Sequence, residues 1–255
     1  MEFKIRLTPI TRFSMVLDIE NRVDSGRVFD EDMRANFIER RAVAEARRDK
    51  VFGTLILLEA GLAFVVTGSN IVIPYFNIET SKIPSVVEIF TVLASLSLFF
   101  AISSFNNYMI YDQIVGWFAR NKAKDTLVDP DFLIASSTQY DFFEKMLRKQ
   151  FHISGADFFV SGSNFKIVSN VTMLLCLVLF LLFPLMHFVL VAYSLSITFS
   201  VHGLSFGYAC YYSIIALTNA LAFVLAVLPW IEFEFTTNTD IRPTLESRAS
   251  KFRGQ

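Results

Sequence analysis

The chain has 255 residues and a mass of 29.0 kDa, long enough for one or two soluble domains, yet 53% of its residues are apolar and its mean hydropathy is +0.47. That is too apolar for a water-facing globule of this size, so most of its core is expected to be membrane. The net charge of −1 says little as a sum, because nearly all of the charges lie outside four long apolar segments. The two cysteines, Cys176 and Cys210, sit inside apolar runs, which excludes a disulfide framework; with only three histidines, no metal site and no cofactor is expected.

In chain order, residues 1–50 read as a cytoplasmic region with a basic helix, 51–111 as membrane helices one and two, 112–165 as a cytoplasmic loop with an amphipathic helix, 166–231 as membrane helices three and four, and 232–255 as a cytoplasmic tail. The fold class expected is all-α: a polytopic membrane protein with four transmembrane helices, both termini inside, and helical cytoplasmic extensions. Residues 1–50 carry charge throughout and offer no apolar stretch for a cleavable signal, so the first membrane helix is expected to act as its own targeting signal.

From Phe29 the sequence FDEDMRANFIERRAVAEARRDK reads as helix, with Asp30, Glu31 and Asp32 in its first turn and Arg47, Arg48 and Lys50 at its end, both favourable to the helix dipole. No Pro or Gly separates it from the first span, Val51 to Ile73, so one continuous rod is expected. The basic cluster Arg40, Arg41, Arg47, Arg48 and Lys50 reads as positive-inside anchoring, as a cytosolic vestibule or as a contact with anionic lipid. The second span, Val86 to Tyr108, is expected to run on as helix until Asp129-Pro130, with Tyr108 and Trp117 in an interfacial belt. The stretch from Gln139 to Phe151 reads as a short amphipathic helix, and the Gly155 and Gly162 turns after it lack the spacing of a phosphate-binding loop. The third span is expected from Ile167 to about Ser194, mostly facing lipid, and the fourth from about Phe206 to Ile231. Each exceeds the ~20 residues needed to cross ~30 Å of hydrocarbon.

Orientation follows from lysine and arginine. Of 23 such residues, eleven precede the first span, Lys82 alone lies between the first and second, seven run from Arg120 to Lys166, none lies between the third and fourth, and four follow the fourth. Basic flanks are retained in the cytoplasm, which places the chain in the inner (plasma) membrane with both termini inside.

Glu59 lies about eight residues into the first span, ~12 Å below its edge. A carboxyl at that depth costs roughly 2.5–3.5 kcal/mol and is paired, protonated or exposed to a water-filled path. Ser97 and Asn219 fall at similar depth, so a polar layer of Glu59, Ser97 and Asn219 is expected, either lining a cation or proton pathway or bonding helices together. His187 and Glu88 are placed near the outer face. Small residues at heptad-like spacing, Ala94 and Ala101 on the second span and Ala216 and Ala220 on the fourth, mark close helix contacts and an expected homo-oligomer interface.

Neither an interfacial His and acid cluster nor an inverted repeat is visible, so an enzyme is not expected and a secondary transporter is disfavoured. The expected function is an oligomeric channel or membrane-permeabilising protein, gated or assembled from the cytoplasmic side. The alternative is a membrane anchor or scaffold recruiting a cytosolic protein. Its partners are lipid, its own copies and a cytosolic protein, not nucleic acid. The order of cytosolic helix, helix pair, cytosolic segment and helix pair resembles the layout of four-pass channels and of four-helix membrane effectors in bacterial antiphage systems. This resemblance is one of architecture and implies only that layout.

The orientation is testable by thiol labelling. In a chain lacking Cys176 and Cys210, cysteines placed at Ser25, Ser137 and Ser250 are expected to resist an impermeant reagent in intact cells while one at Ser81 reacts. Labelling at Ser137 with Ser81 silent reverses the topology.

Overall fold

The structure is a computed structural model and describes residues 2–24, 30–68, 72–73, 78–79, 83, 85–126, 128, 133 and 166–238. The expected amphipathic helix at Gln139–Phe151, the Gly155 and Gly162 turns and the tail beyond residue 238 lie outside the described residues. The order is β1 (Glu2–Leu7), α1 (Pro9–Asp24), α2 (Glu31–Val66), β2 (Val72–Ile73), β3 (Ile78–Glu79), α3 (Val86–Thr126), α4 (Lys166–His202), α5 (Phe206–Val227) and β4 (Phe233–Asn238), with a single 3₁₀ turn, Leu228–Trp230, after α5. Three helices carry segments long and apolar enough to cross a membrane: Val86–Lys124, Leu177–His202 and Phe206–Trp230. The chain is thus almost entirely helical and built for a bilayer.

The long rods expected from the sequence are present. Asp30 caps α2, its carboxylate accepting from the Met33 amide at 2.9 Å, and the helix then runs 36 residues without a break. At 41 residues α3 is ~60 Å long, about twice the hydrocarbon thickness, so it projects well beyond any bilayer it crosses. The two rods pack along each other. Gly61 permits part of this contact, since a Cβ there would lie 2.4 Å from the Phe90 ring.

Four details correct the sequence reading. First, α2 ends at Val66 rather than Ile73. Thr67 closes it with its amide on the Ala63 carbonyl, and Gly68 follows at φ +76°, a left-handed position that stops a helix at little cost to glycine. Its apolar part is only ~24 Å long. Second, α4 extends to His202, so its connection to α5 is the short Gly203–Ser205 turn, with Gly203 at φ +60°. Third, the fold is not purely helical: β1 pairs antiparallel with β4, and β2 with β3. The β1–β4 ladder brings the two ends of the described chain to one side of the bundle. Fourth, Tyr108 and Trp117 are buried rather than belted at an interface, at 4% exposure each.

Both aromatic residues lie in the half of α3 that leads to Thr126. The Trp117 indole donates to the Asp18 carboxylate of α1 at 2.7 Å, and Trp117, Ile114 and Phe118 pack against Phe13, Leu17, Met33 and Phe37. Tyr108 belongs to a clamp between α2 and α3. Arg41, 1% exposed, donates from Nε to Asp112 Oδ1 at 2.9 Å and from Nη2 to the Tyr108 hydroxyl at 2.9 Å, and Arg48 lies over the Tyr108 ring at 4.1 Å. Farther out, Lys122 pairs with Glu31, and that hydrogen bond, with a second from Arg34, holds the Glu31 carboxyl below its usual range. This link is therefore complete at neutral pH and is lost only in acid, and its exposure keeps its contribution small.

The clamp yields a stability prediction. Asp112→Ala strands the Arg41 guanidinium away from water and is expected to cost about 3–5 kcal/mol, read as a lower melting midpoint in detergent, while Arg41→Met with Asp112→Leu restores most of it. A loss no larger than that of the exposed Arg40→Ala would count against the clamp.

Candidate functional site

Within the apolar windows the helices do not present uniform faces. On α2 the buried positions Leu55, Glu59, Leu62 and Val66 recur at helical spacing, while Ile56, Leu57 and Phe64 point outward. The buried stripe of α4 is His187, Val191, Ser194 and Thr198, and that of α5 is Ile215, Asn219 and Ala222. Much of the rest of α4 is exposed leucine, valine and phenylalanine. Glu59 is thus the single charged member of an otherwise apolar stripe, and it faces the polar stripes of its neighbours.

These stripes meet in a buried polar junction to which all four long helices contribute. The His187 ring, fully buried, places Nδ1 2.8 Å from Glu59 Oε1 and Nε2 2.8 Å from Asn219 Oδ1. Asn219 donates through Nδ2 to the Ser95 hydroxyl at 2.9 Å and to the Ile215 carbonyl at 2.9 Å. Both amide hydrogens are thereby committed, so Asn219 Oδ1 accepts and His187 Nε2 carries a hydrogen. Between His187 Nδ1 and Glu59 Oε1 there is room for one proton. That hydrogen is carried by the carboxyl or by the imidazole, and in either case it satisfies both groups in a buried setting.

His187 and Asn219 each lie within a turn of the middle of the windows Leu177–His202 and Phe206–Trp230. Toward the β1–β4 end the junction is covered by the apolar cluster Leu55, Leu98, Ala101 and Ala222. Toward the α4–α5 turn a second apolar cluster, Leu62, Val66 and Ala94, walls the α2 side.

Of the expected polar layer, Glu59 and Asn219 come together, but through His187 rather than directly. Ser97 is buried nearby and takes no part; Ser95, on another side of α3, holds the amide instead. His187 was misplaced because the third span was expected to end near Ser194. With α4 continuing to His202, the same residue moves from the outer edge to mid-depth. The heptad-like run of His187, Ser194 and Thr198 was the available signal.

Ala94 and Ala101 have no exposed surface and pack inside the protomer, which assigns them to the chain's own helix contacts rather than to a neighbouring copy. Ala216 and Ala220 are exposed on α5. The basic cluster divides: Arg41 is sequestered in the clamp and Arg48 is half-buried over Tyr108, whereas Arg40, Arg47 and Lys50 are exposed. Arg40 and Arg47 line an open groove of about 380 Å³ with Asn36, Asn107 and Tyr111. Among the described residues no group of three His, Cys, Asp or Glu is placed to hold a metal ion.

Comparison with protein-family models, with curated proteins and with solved structures finds no match for this chain.

The bonding pattern separates the two serines. Asn219→Leu leaves His187 Nε2–H and the Ser95 hydroxyl without their partner and is expected to destabilise by about 1–3 kcal/mol in detergent melting, whereas Ser97→Ala is near neutral. Equal effects would mean that the junction is not organised by Asn219.

Proposed function

We propose that the protein is an oligomeric ion-conducting channel of the plasma or inner membrane, in which the Glu59–His187 pair binds the proton that sets conduction. The observation that carries this reading is a buried carboxyl and imidazole 2.8 Å apart, held among helices long and apolar enough to cross a membrane. An intramembrane ionisable pair costs free energy that an apolar pair would not, and such groups mark ion and proton paths.

In this reading α2 is the fourth crossing. It lies against α3 along its length, its Glu59 reaches His187 at the middle of two membrane windows, and four crossings agree with the two chain ends pairing on one side. That side, which carries the arginine-rich half of α2, is the cytoplasm. The protomers associate through α5, where Ala216 and Ala220 form an exposed narrow strip. Native mass spectrometry of the detergent-purified protein tests this: a species larger than one protomer that Ala220→Leu dissociates supports it, and a monomer overturns it.

A second reading, an anchor that recruits a cytosolic protein, draws on a different observation. The α2 and α3 rods extend far beyond the apolar windows and bear the groove lined by Arg40 and Arg47.

Proton flux in proteoliposomes distinguishes the two. Glutamine preserves the size and hydrogen bonding of Glu59 but cannot ionise, so Glu59→Gln is expected to assemble normally and to abolish flux or its pH dependence. If the wild-type protein passes no ions at any pH, or if assembled Glu59→Gln behaves as wild type, the pair is structural and the anchor reading takes its place.

A further inference from the structure

From the junction toward the α4–α5 turn a polar seam runs between α3 and α4, beside the buried apolar residues Leu62, Val66, Ala94 and Val191. On α3 the residues Glu88, Thr91 and Ser95 follow one another at helical spacing, and on α4 so do His187, Ser194, Thr198 and His202. The Thr91 and Ser194 hydroxyls are hydrogen-bonded to each other, linking the two runs. One turn farther out, Thr198 Oγ1 and the Tyr211 hydroxyl are buried without a hydrogen-bond partner among the described residues, and the Tyr211 hydroxyl faces Thr91 and Thr198. At the mouth of this seam His202 Nε2 stands 3.4 Å from Glu88 Oε1 and its ring stacks on Tyr208 at 4.2 Å.

The opposite direction is different in kind. Leu55, Leu98, Ala101 and Ala222 close over the junction, with Phe52, Phe99, Ile102 and Phe183 packed around them. The nearest polar groups there are satisfied by backbone: Ser104 donates to the Ala101 carbonyl and Asn106 to the Leu225 carbonyl. A water molecule needs two to four polar partners to occupy a buried site, so hydration is favoured on the seam side and disfavoured on the plugged side.

We infer that the Glu59–His187 pair exchanges protons with the aqueous phase at the α4–α5 end alone, through a hydrated cleft lined by Thr91, Ser194, Thr198 and Tyr211. This rests on the proton-binding reading of the pair. In the exchange a proton from water enters at the mouth, passes along hydroxyls and water, and adds to the Glu59 carboxylate, while Nδ1–H of the imidazolium stays in place. The pair goes from one shared proton to two, its charge rises from zero to +1, and release by the same route restores it. The titratable groups facing this path are Glu59 from α2, Glu88 from α3, His187 and His202 from α4, and Tyr208, Tyr211 and Tyr212 from α5. From α3 and α5 the pair itself is met only by the non-titrating Ser95 and Asn219 among the described residues.

The test is access of silver ion, a water-borne probe of small size, to single cysteines in oriented proteoliposomes of the full chain lacking Cys176 and Cys210. Thr198→Cys and, as the milder change, Ser194→Cys are expected to be blocked by silver added at the α4–α5 side and untouched by silver added at the other side, with Leu98→Cys untouched from both. Ion flux is read on the same vesicles, and Thr198→Val is expected to slow its response to a pH step made on the α4–α5 side while leaving assembly unchanged. Flux with both seam cysteines unreactive, or reactive from the plugged side, overturns the cleft and leaves the proton reading standing. Reactivity from the α4–α5 side without flux supports the cleft and removes the proton reading instead.

Discussion

The arrangement of this protein depends on the bond chain Glu59–His187–Asn219–Ser95, because among the described residues it alone joins α2, α4, α5 and α3 through side-chain hydrogen bonds. In lipid the hydrophobic effect does not draw helices together, since an acyl chain is as good a neighbour for leucine as another leucine. Packing and polar bonds must do so. Asn219 is central to that task. It fixes the hydrogen on His187 Nε2, which in turn leaves a single proton for the Nδ1–Glu59 contact. One amide thus sets both the register of the helices and the charge state of the buried pair.

Toward the β1–β4 end the rods are joined by different means, a hydrophobic cluster around Trp117 and Phe118 and a buried guanidinium, Arg41, that donates to Asp112, Tyr108 and Glu45. A buried, fully engaged arginine is intolerant of partial change, which makes the α2–α3 pair a stiff strut.

Helix identity and continuity were legible in the sequence because they are local: Asp30 with its acidic first turn starts α2, and nothing between Asp30 and Val66 breaks it. Glu59 and Asn219 were legible because polar residues in apolar runs stand out. His187 was not, since its depth depends on where α4 ends, and the apolar run there continues through Leu195–His202 without a boundary until Gly203. The β1–β4 ladder was hidden for another reason. Its partners are separated by most of the chain, and although Glu2–Leu7 alternates polar and apolar residues strictly, Phe233–Asn238 loses the alternation after Phe235, so no matching second strand stands out. The arginine cluster shows the limit of composition: five basic residues in one helix read as one surface, but the helical turn sends Arg41 inward to Asp112 and leaves Arg40 outside.

Bonding helices and binding a proton are often posed as alternatives for a buried carboxyl, and the geometry here shows why they need not be. A purely adhesive junction would be served by amides and hydroxyls, which form the Asn219–Ser95 and Thr91–Ser194 contacts without any ionisable group. In the proposed reading Glu59 and His187 add the capacity those contacts lack, the uptake and release of a proton at a hydrogen-bonded pair. Each such change would alter the buried charge by one unit, and in a medium of low dielectric that shift acts on every neighbouring dipole. The bonds that hold α2, α4 and α5 in register would then be the ones whose strength changes with proton occupancy, which is how the proposed function couples helix packing to protonation.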